Sequence, residues 1–128
     1  MKPGYADSWF GMGNASRAAG DFGGAERALR RGAELESNPM RSHVALGLLY
    51  VMHMNRPSEA IAAFRAAVAD CERAGNPDGT GTPYLMLGTA YGQAGDDAQA
   101  VRWLREAAKW PDTRARAEEH LRDLGVLR

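Results

Sequence analysis

Four short stretches of this 128-residue chain carry residue types that chemistry uses. Met52-His53-Met54 offers two thioethers and an imidazole, soft ligands that hold copper(I) when a further ligand converges on them. Asp78-Gly79-Thr80-Gly81-Thr82 sets a carboxylate in a glycine-rich loop, as in sites where an aspartate accepts a phosphoryl group or activates water. Gly11-x-Gly13-x-x-Ser16 has part of the spacing of a dinucleotide-binding turn, and Cys71 is a lone thiol. None has its setting. The loop at Asp78 follows a helical pattern rather than a strand, Gly11 and Gly13 fall inside a helical pattern, and no second cluster of ligands supports the Met-His-Met run. Asp70 and Glu72 flank Cys71 with negative charge, which opposes thiolate formation. With three scattered histidines and no nucleophile beside a base, the sequence predicts no catalytic site, no metal and no cofactor.

The composition agrees with a binding rather than a polyelectrolyte role. Apolar residues make up 45% and charged residues 25%, enough apolar matter to bury a core. Sixteen basic and sixteen acidic side chains cancel, so no broad positive field favours nucleic acid or an anionic membrane. No apolar run approaches the roughly twenty residues needed to cross a bilayer, and a single cysteine fits a reducing compartment; the expectation is a cytoplasmic protein.

What positions any functional residue is a repeat. Trp9-x-x-Met12-Gly13, His43-x-x-Leu46-Gly47-x-x-Tyr50 and Tyr84-x-x-Leu87-Gly88-x-x-Tyr91 each set a ring before an apolar-small pair. Each is followed by a turn and then an alanine, Ala25, Ala60 or Ala100, with Leu29, Phe64 or Leu104 four residues on and Gly32, Ala67 or Ala107 seven on. That spacing is helical, and a small residue where two helices cross lets their backbones approach. Gly20-Asp21 and Gly95-Asp96 supply a left-handed helix exit followed by a cap for the next helix, and Met54-Asn55-Arg56-Pro57 does so for the middle unit. Gly13 and Gly47 are 34 residues apart, Gly47 and Gly88 are 41. One of the seven extra residues falls in the middle turn and six fall before the third unit, so the register survives. The segment from Gly75 to Pro83 reads as the most mobile internal connection.

These residues resemble the tetratricopeptide repeat family, whose pattern has an aromatic, Leu-Gly and Tyr on the first helix and small residues around an apolar one on the second. The third unit fits at every position, the first has Ser16 in place of Tyr and Gly32 in place of Ala, and the second has His43 at the ring position. The resemblance implies an all-α fold, a right-handed superhelix of antiparallel helix pairs with about seven helices. The expected division is one domain over 1–128, with repeats at 6–38, 39–75 and 82–111, an inter-repeat loop at 75–81 and a capping helix at 113–124. Asp112-Thr113 is placed to cap that last helix and Gly125 to stop it. Trp103 and Trp110, seven apart, are expected on one helix face against it.

In this family the first helices line a concave groove that takes a peptide or a partner helix. Carried to this chain, the groove residues are Phe10, Asn14, Arg17, Arg41, Val44, Leu48, Met52, Leu85, Met86, Thr89 and Gln93. Of the basic and amide residues with which some members clamp an acidic C-terminal tail, only Asn14 is present; Phe10, Ala45, Thr82 and Met86 stand at the other positions. An apolar groove bearing methionine suits a hydrophobic segment or the apolar face of a helix. The resulting expectation is a non-catalytic, scaffold- or chaperone-like module for protein partners, and the alternative is a homo-oligomerisation module.

Overall fold

The structure, a computed structural model, describes residues 4–127. Among them are seven α-helices and no strand: α1 (Gly4–Ala18), α2 (Phe22–Leu35), α3 (Met40–Met52), α4 (Pro57–Arg73), α5 (Thr82–Gln93), α6 (Asp97–Ala107) and α7 (Arg114–Asp123). They form two compact units, one ending at Asp70 and one beginning at Cys71, so the division falls inside α4.

In the first unit the second helices bury the small-apolar stripe that the spacing predicts. Ala25, Ala28, Leu29 and Gly32 of α2 are buried, as are Ala60, Phe64 and Ala67 of α4. Asp21 caps α2 by accepting a hydrogen bond from the Gly24 N–H at 2.9 Å, and Gly20 takes the positive φ of 85° that ends α1. At the middle turn the left-handed residue is Asn55, at φ 51°, one of the few side chains that tolerate it. The glycines of the Leu-Gly pairs are contact points: a Cβ on Gly13 would meet Leu29 at 2.7 Å, and one on Gly47 would stand 2.3 Å from the Phe64 ring. Each first helix therefore lies directly on the large side chain of its own second helix.

The second unit repeats this logic. Asp96 caps α6 through the Gln99 N–H, Gly95 takes φ 85°, and Ala100, Leu104 and Ala107 are buried. Three details depart from the sequence expectation. Helix α6 ends at Ala107, so Trp110 lies in the following turn and does not share a helix face with Trp103. Trp103 stacks on Tyr84 of α5, with ring centroids 6.2 Å apart, under the guanidinium of Arg102.

The cap of α7 also differs. Thr113 is its N-cap residue, yet its hydroxyl donates to the carbonyl of Ala107 at 2.8 Å and makes no cap bond. Asp112 turns the other way, accepting from the Thr80 hydroxyl at 2.6 Å and from the Gly81 N–H at 3.0 Å. The connection before α5 is thereby knitted together instead of lying loose. Asn76 adds two bonds across it, donating to the Thr80 carbonyl and accepting from the Thr80 N–H. The physical reason is that an exposed loop rich in Thr and Asn satisfies its backbone with its own side chains, and Asp112 lies within reach of it.

Asp112 predicts a pH effect. Burial acts to raise the carboxylate's pKa, but hydrogen bonds, led by those from the Thr80 hydroxyl and the Gly81 N–H, outweigh it, so the pKa lies below the usual carboxylate value. A depressed folded-state pKa means that the contribution is present above the unfolded value, near 4, and is lost as pH falls through the folded one. Amide exchange at Gly81 should therefore accelerate on acidification below the ordinary carboxylate range. Asp112→Ala, which removes the acceptor, should give fast exchange at neutral pH and remove that acid step; slow, unchanged Gly81 exchange in the variant would refute the clasp.

Candidate functional site

Four of the residues expected to face a partner come together in the first unit. Asn14 and Arg17 from the end of α1, and Leu48 and Met52 from α3, line a cavity of about 150 Å³ together with Ala45 and His53. The spacing of Asn14 and Arg17 puts both on one face of α1, and Leu48 and Met52 are one turn apart on α3. Leu48 is half-buried, while Met52 is 66% exposed. His53, considered from the sequence only as a metal ligand, lies with its ring flat on Phe22, centroids 4.6 Å apart, and lines the cavity.

Phe10 and Arg41 form a second group. The Arg41 guanidinium lies 4.4 Å from the centre of the Phe10 ring and pairs with Asp7 and with Glu36, the latter at 2.8 Å. The bond to Asp7, named first, and those to Glu36 raise the Arg41 pKa against the effect of burial. Arg41, though exposed, is thus tied down across the face of Phe10. Val44 is half-buried on the same helix.

In the second unit Thr89 and Gln93 line a separate cavity of about 230 Å³ with Gly92, Ala100, His120 and Leu124. Met86 is half-buried. Leu85 departs from its expected place: it is 3% exposed and has no surface to offer a partner. Pro83, Tyr84, Leu85, Leu87, Gly88 and Ala90 are all buried, so α5 is covered around most of its circumference, a breadth that helical periodicity alone does not set.

One cleft went unforeseen. About 480 Å³ in volume, it lies against α2, α3 and α4 and is lined by Ala33, Leu46, Ala62, Ala63 and Ala66, with Arg30, His43, Tyr50 and Glu59 among its polar groups. Beside it the buried Tyr50 hydroxyl donates to Glu26 at 2.6 Å and accepts from Arg30 at 2.9 Å, and Arg56 lies within 3.6 Å of Glu26. Burial, then the bond to Glu26, raise the Tyr50 pKa. Glu26 and Arg30 are four residues apart on α2, and Tyr50 joins them from α3.

Two groups with nucleophilic potential are held in their protonated forms by burial. Cys71 is buried, and that burial pushes its thiol pKa up. Tyr84 is pushed up to about 12, chiefly by burial and then by the charge of Glu72. Among the described residues no group of three His, Cys, Asp or Glu side chains could hold a metal, and no helix is long and apolar enough to cross a membrane.

Known proteins share this architecture. The structure matches that of the MamA protein at a TM-score of 0.77 and 22% identity, covering 98% of this chain and 67% of that one. A second MamA structure matches at 0.74 and 18% identity, over 98% and 71% of the two chains. The N-terminal domain of stress-induced protein-1 (STI-1) from C. elegans matches at 0.76 and 18% identity, over 89% and 92%. At these identities the likeness is one of fold. No curated protein sequence matches the chain. A family model described as tetratricopeptide repeat matches residues 40–109, more than half of the chain. With its paired helices, its glycine contacts and that match together, the chain belongs to the tetratricopeptide repeat family, whose members are protein-interaction modules.

Proposed function

We propose that this protein holds a hydrophobic peptide or helix of a partner protein on the first helices of its repeats, as a scaffold or chaperone-like module in a reducing compartment such as the cytoplasm. It performs no chemistry of its own and needs no cofactor or metal. The observation that carries this reading is the cavity beside Leu48 and the exposed Met52, where an apolar, adaptable lining opens to solvent. In the second unit Met86, Thr89 and Gln93 extend the proposed set; Phe10, Arg41 and Val44 do so in the first. We also propose that the three repeats and the closing helix act as one domain, an inference supported by the unbroken run of α4 across the division between units.

Leu48→Asp tests the binding surface. A carboxylate buried under an apolar ligand is costly, and each 1.4 kcal/mol is about a tenfold change in affinity. Proteins captured by the native chain and identified by mass spectrometry should fall about tenfold or more with the variant, at unchanged helicity by circular dichroism. Equal capture by both would overturn the proposal.

The second reading is self-assembly, favoured by one observation: Tyr5 and Met12 are half-exposed on α1. Sedimentation at several concentrations separates the two, since a monomer throughout removes the oligomer.

A further inference from the structure

We infer that the cavity between the ends of α1 and α3 recognises an acidic residue adjoining an apolar side chain in the segment that it binds. The inference rests on the proposed binding surface and names the chemistry of its occupant.

The lining has two unlike walls. Ala45, Leu48, Met52 and the His53 ring form the apolar one, with His53 held flat against Phe22. Helix α1 contributes Asn14 and Arg17 to the same lining. Arg17, like Arg27, differs from the arginines of this unit whose pairing is plain. Arg30 pairs with Glu26, Arg31 with Glu34, Arg41 with Asp7 and Glu36, and Arg56 with Glu26 and Glu59. No carboxylate among the described residues lies within ion-pair distance of Arg17, which is exposed in the last turn of α1. That position favours a cation through the helix dipole and leaves the guanidinium donors unused.

Arg17 is also the one permanently charged side chain in the lining, in a chain that is neutral overall. A cavity of this size class takes a single group about as large as benzene, which corresponds to one apolar side chain. A planar guanidinium beside an amide offers a fork of N–H donors that matches a carboxylate. The occupant is therefore a partner segment in which Asp or Glu lies within one helical turn of a large apolar residue, the apolar group entering against Leu48 and Met52 and the carboxylate meeting Arg17 and Asn14. Charge supplies orientation there, and the apolar wall supplies the burial.

The test is selection of random twelve-residue peptides displayed on phage against the full chain, and against Arg17→Glu and Leu48→Asp, each checked for helicity. Peptides retained by the native chain and lost with Leu48→Asp should carry Asp or Glu within four residues of Leu, Ile, Met or Phe. Their affinity should drop about tenfold with Arg17→Glu, which should instead enrich Lys or Arg at that place. If Leu48-dependent peptides show no acidic preference, or keep their affinity with Arg17→Glu, the charge reading is overturned while the binding surface stands. If no selected peptide depends on Leu48, both fall.

Discussion

Replacing Phe64 with alanine should lower the unfolding free energy by about 3–5 kcal/mol. The ring is 2% exposed on α4 and lies directly beneath Gly47 of α3, so its loss opens a cavity at the point where the helix pair is closest. That cavity cannot collapse easily, because both backbones are held by their own helical hydrogen bonds. Gly47→Ala approaches the same contact from the other side. Its Cβ would stand 2.3 Å from the ring, and such overpacking costs about 1–3 kcal/mol. Since the two residues share one contact, Gly47→Ala with Phe64→Leu should cost less than the sum of the single changes. Urea unfolding followed by circular dichroism measures all of these. A Phe64→Ala loss below about 1 kcal/mol would mean that the helix pair does not close at this contact.

Replacing His43 with phenylalanine should destabilise the protein by about 1–3 kcal/mol, the usual cost of removing a hydrogen bond to a charged group. The repeat pattern implies the opposite, since rings stand at the same place in Trp9 and Tyr84 and phenylalanine would restore one. The structure decides between them: His43 Nδ1 lies 2.5 Å from Oδ2 of Asp70, and that aspartate is only 5% exposed. Phenylalanine takes away the imidazole and leaves a buried carboxylate with one donor fewer. His43→Phe combined with Asp70→Leu should recover part of the loss, because apolar replacement of both partners removes the buried carboxylate as well as its donor. A more stable His43→Phe single variant, measured by the same unfolding curves, would show that the ring matters and the hydrogen bond does not.

His43 also shows where sequence reading stops. The helices, the glycine-aspartate turns and the small-large-small stripes were legible because each depends on residues within a turn or two of one another. Asp21 and Asp96 cap the helices expected of them for that reason. The contacts that escaped notice join residues far apart in the chain: His43 with Asp70, Tyr50 with Glu26, Thr80 with Asp112. Their residue types were unremarkable, and only packing brings them together. Asp112 and Thr113 read as a cap because they precede a helix, but a nearby loop with unsatisfied donors competed for the same carboxylate. Leu85 was assigned to an open surface for a related reason. Periodicity tells which way a side chain points, and says nothing about how much protein stands in front of it.

The Asp112 carboxylate has an effect beyond the loop that it steadies. Helices α5 and α6 are joined by the Gly95 turn at one end, and Asp112 fastens their other end by reaching from beyond α6 to the start of α5. The pair is a closed circuit of chain, with one covalent corner and one polar one. Units of a repeat array stand largely on their own interactions and those with immediate neighbours. A unit that carries its own fastener can be duplicated, deleted or moved along a gene without depending on what comes next to keep its ends together.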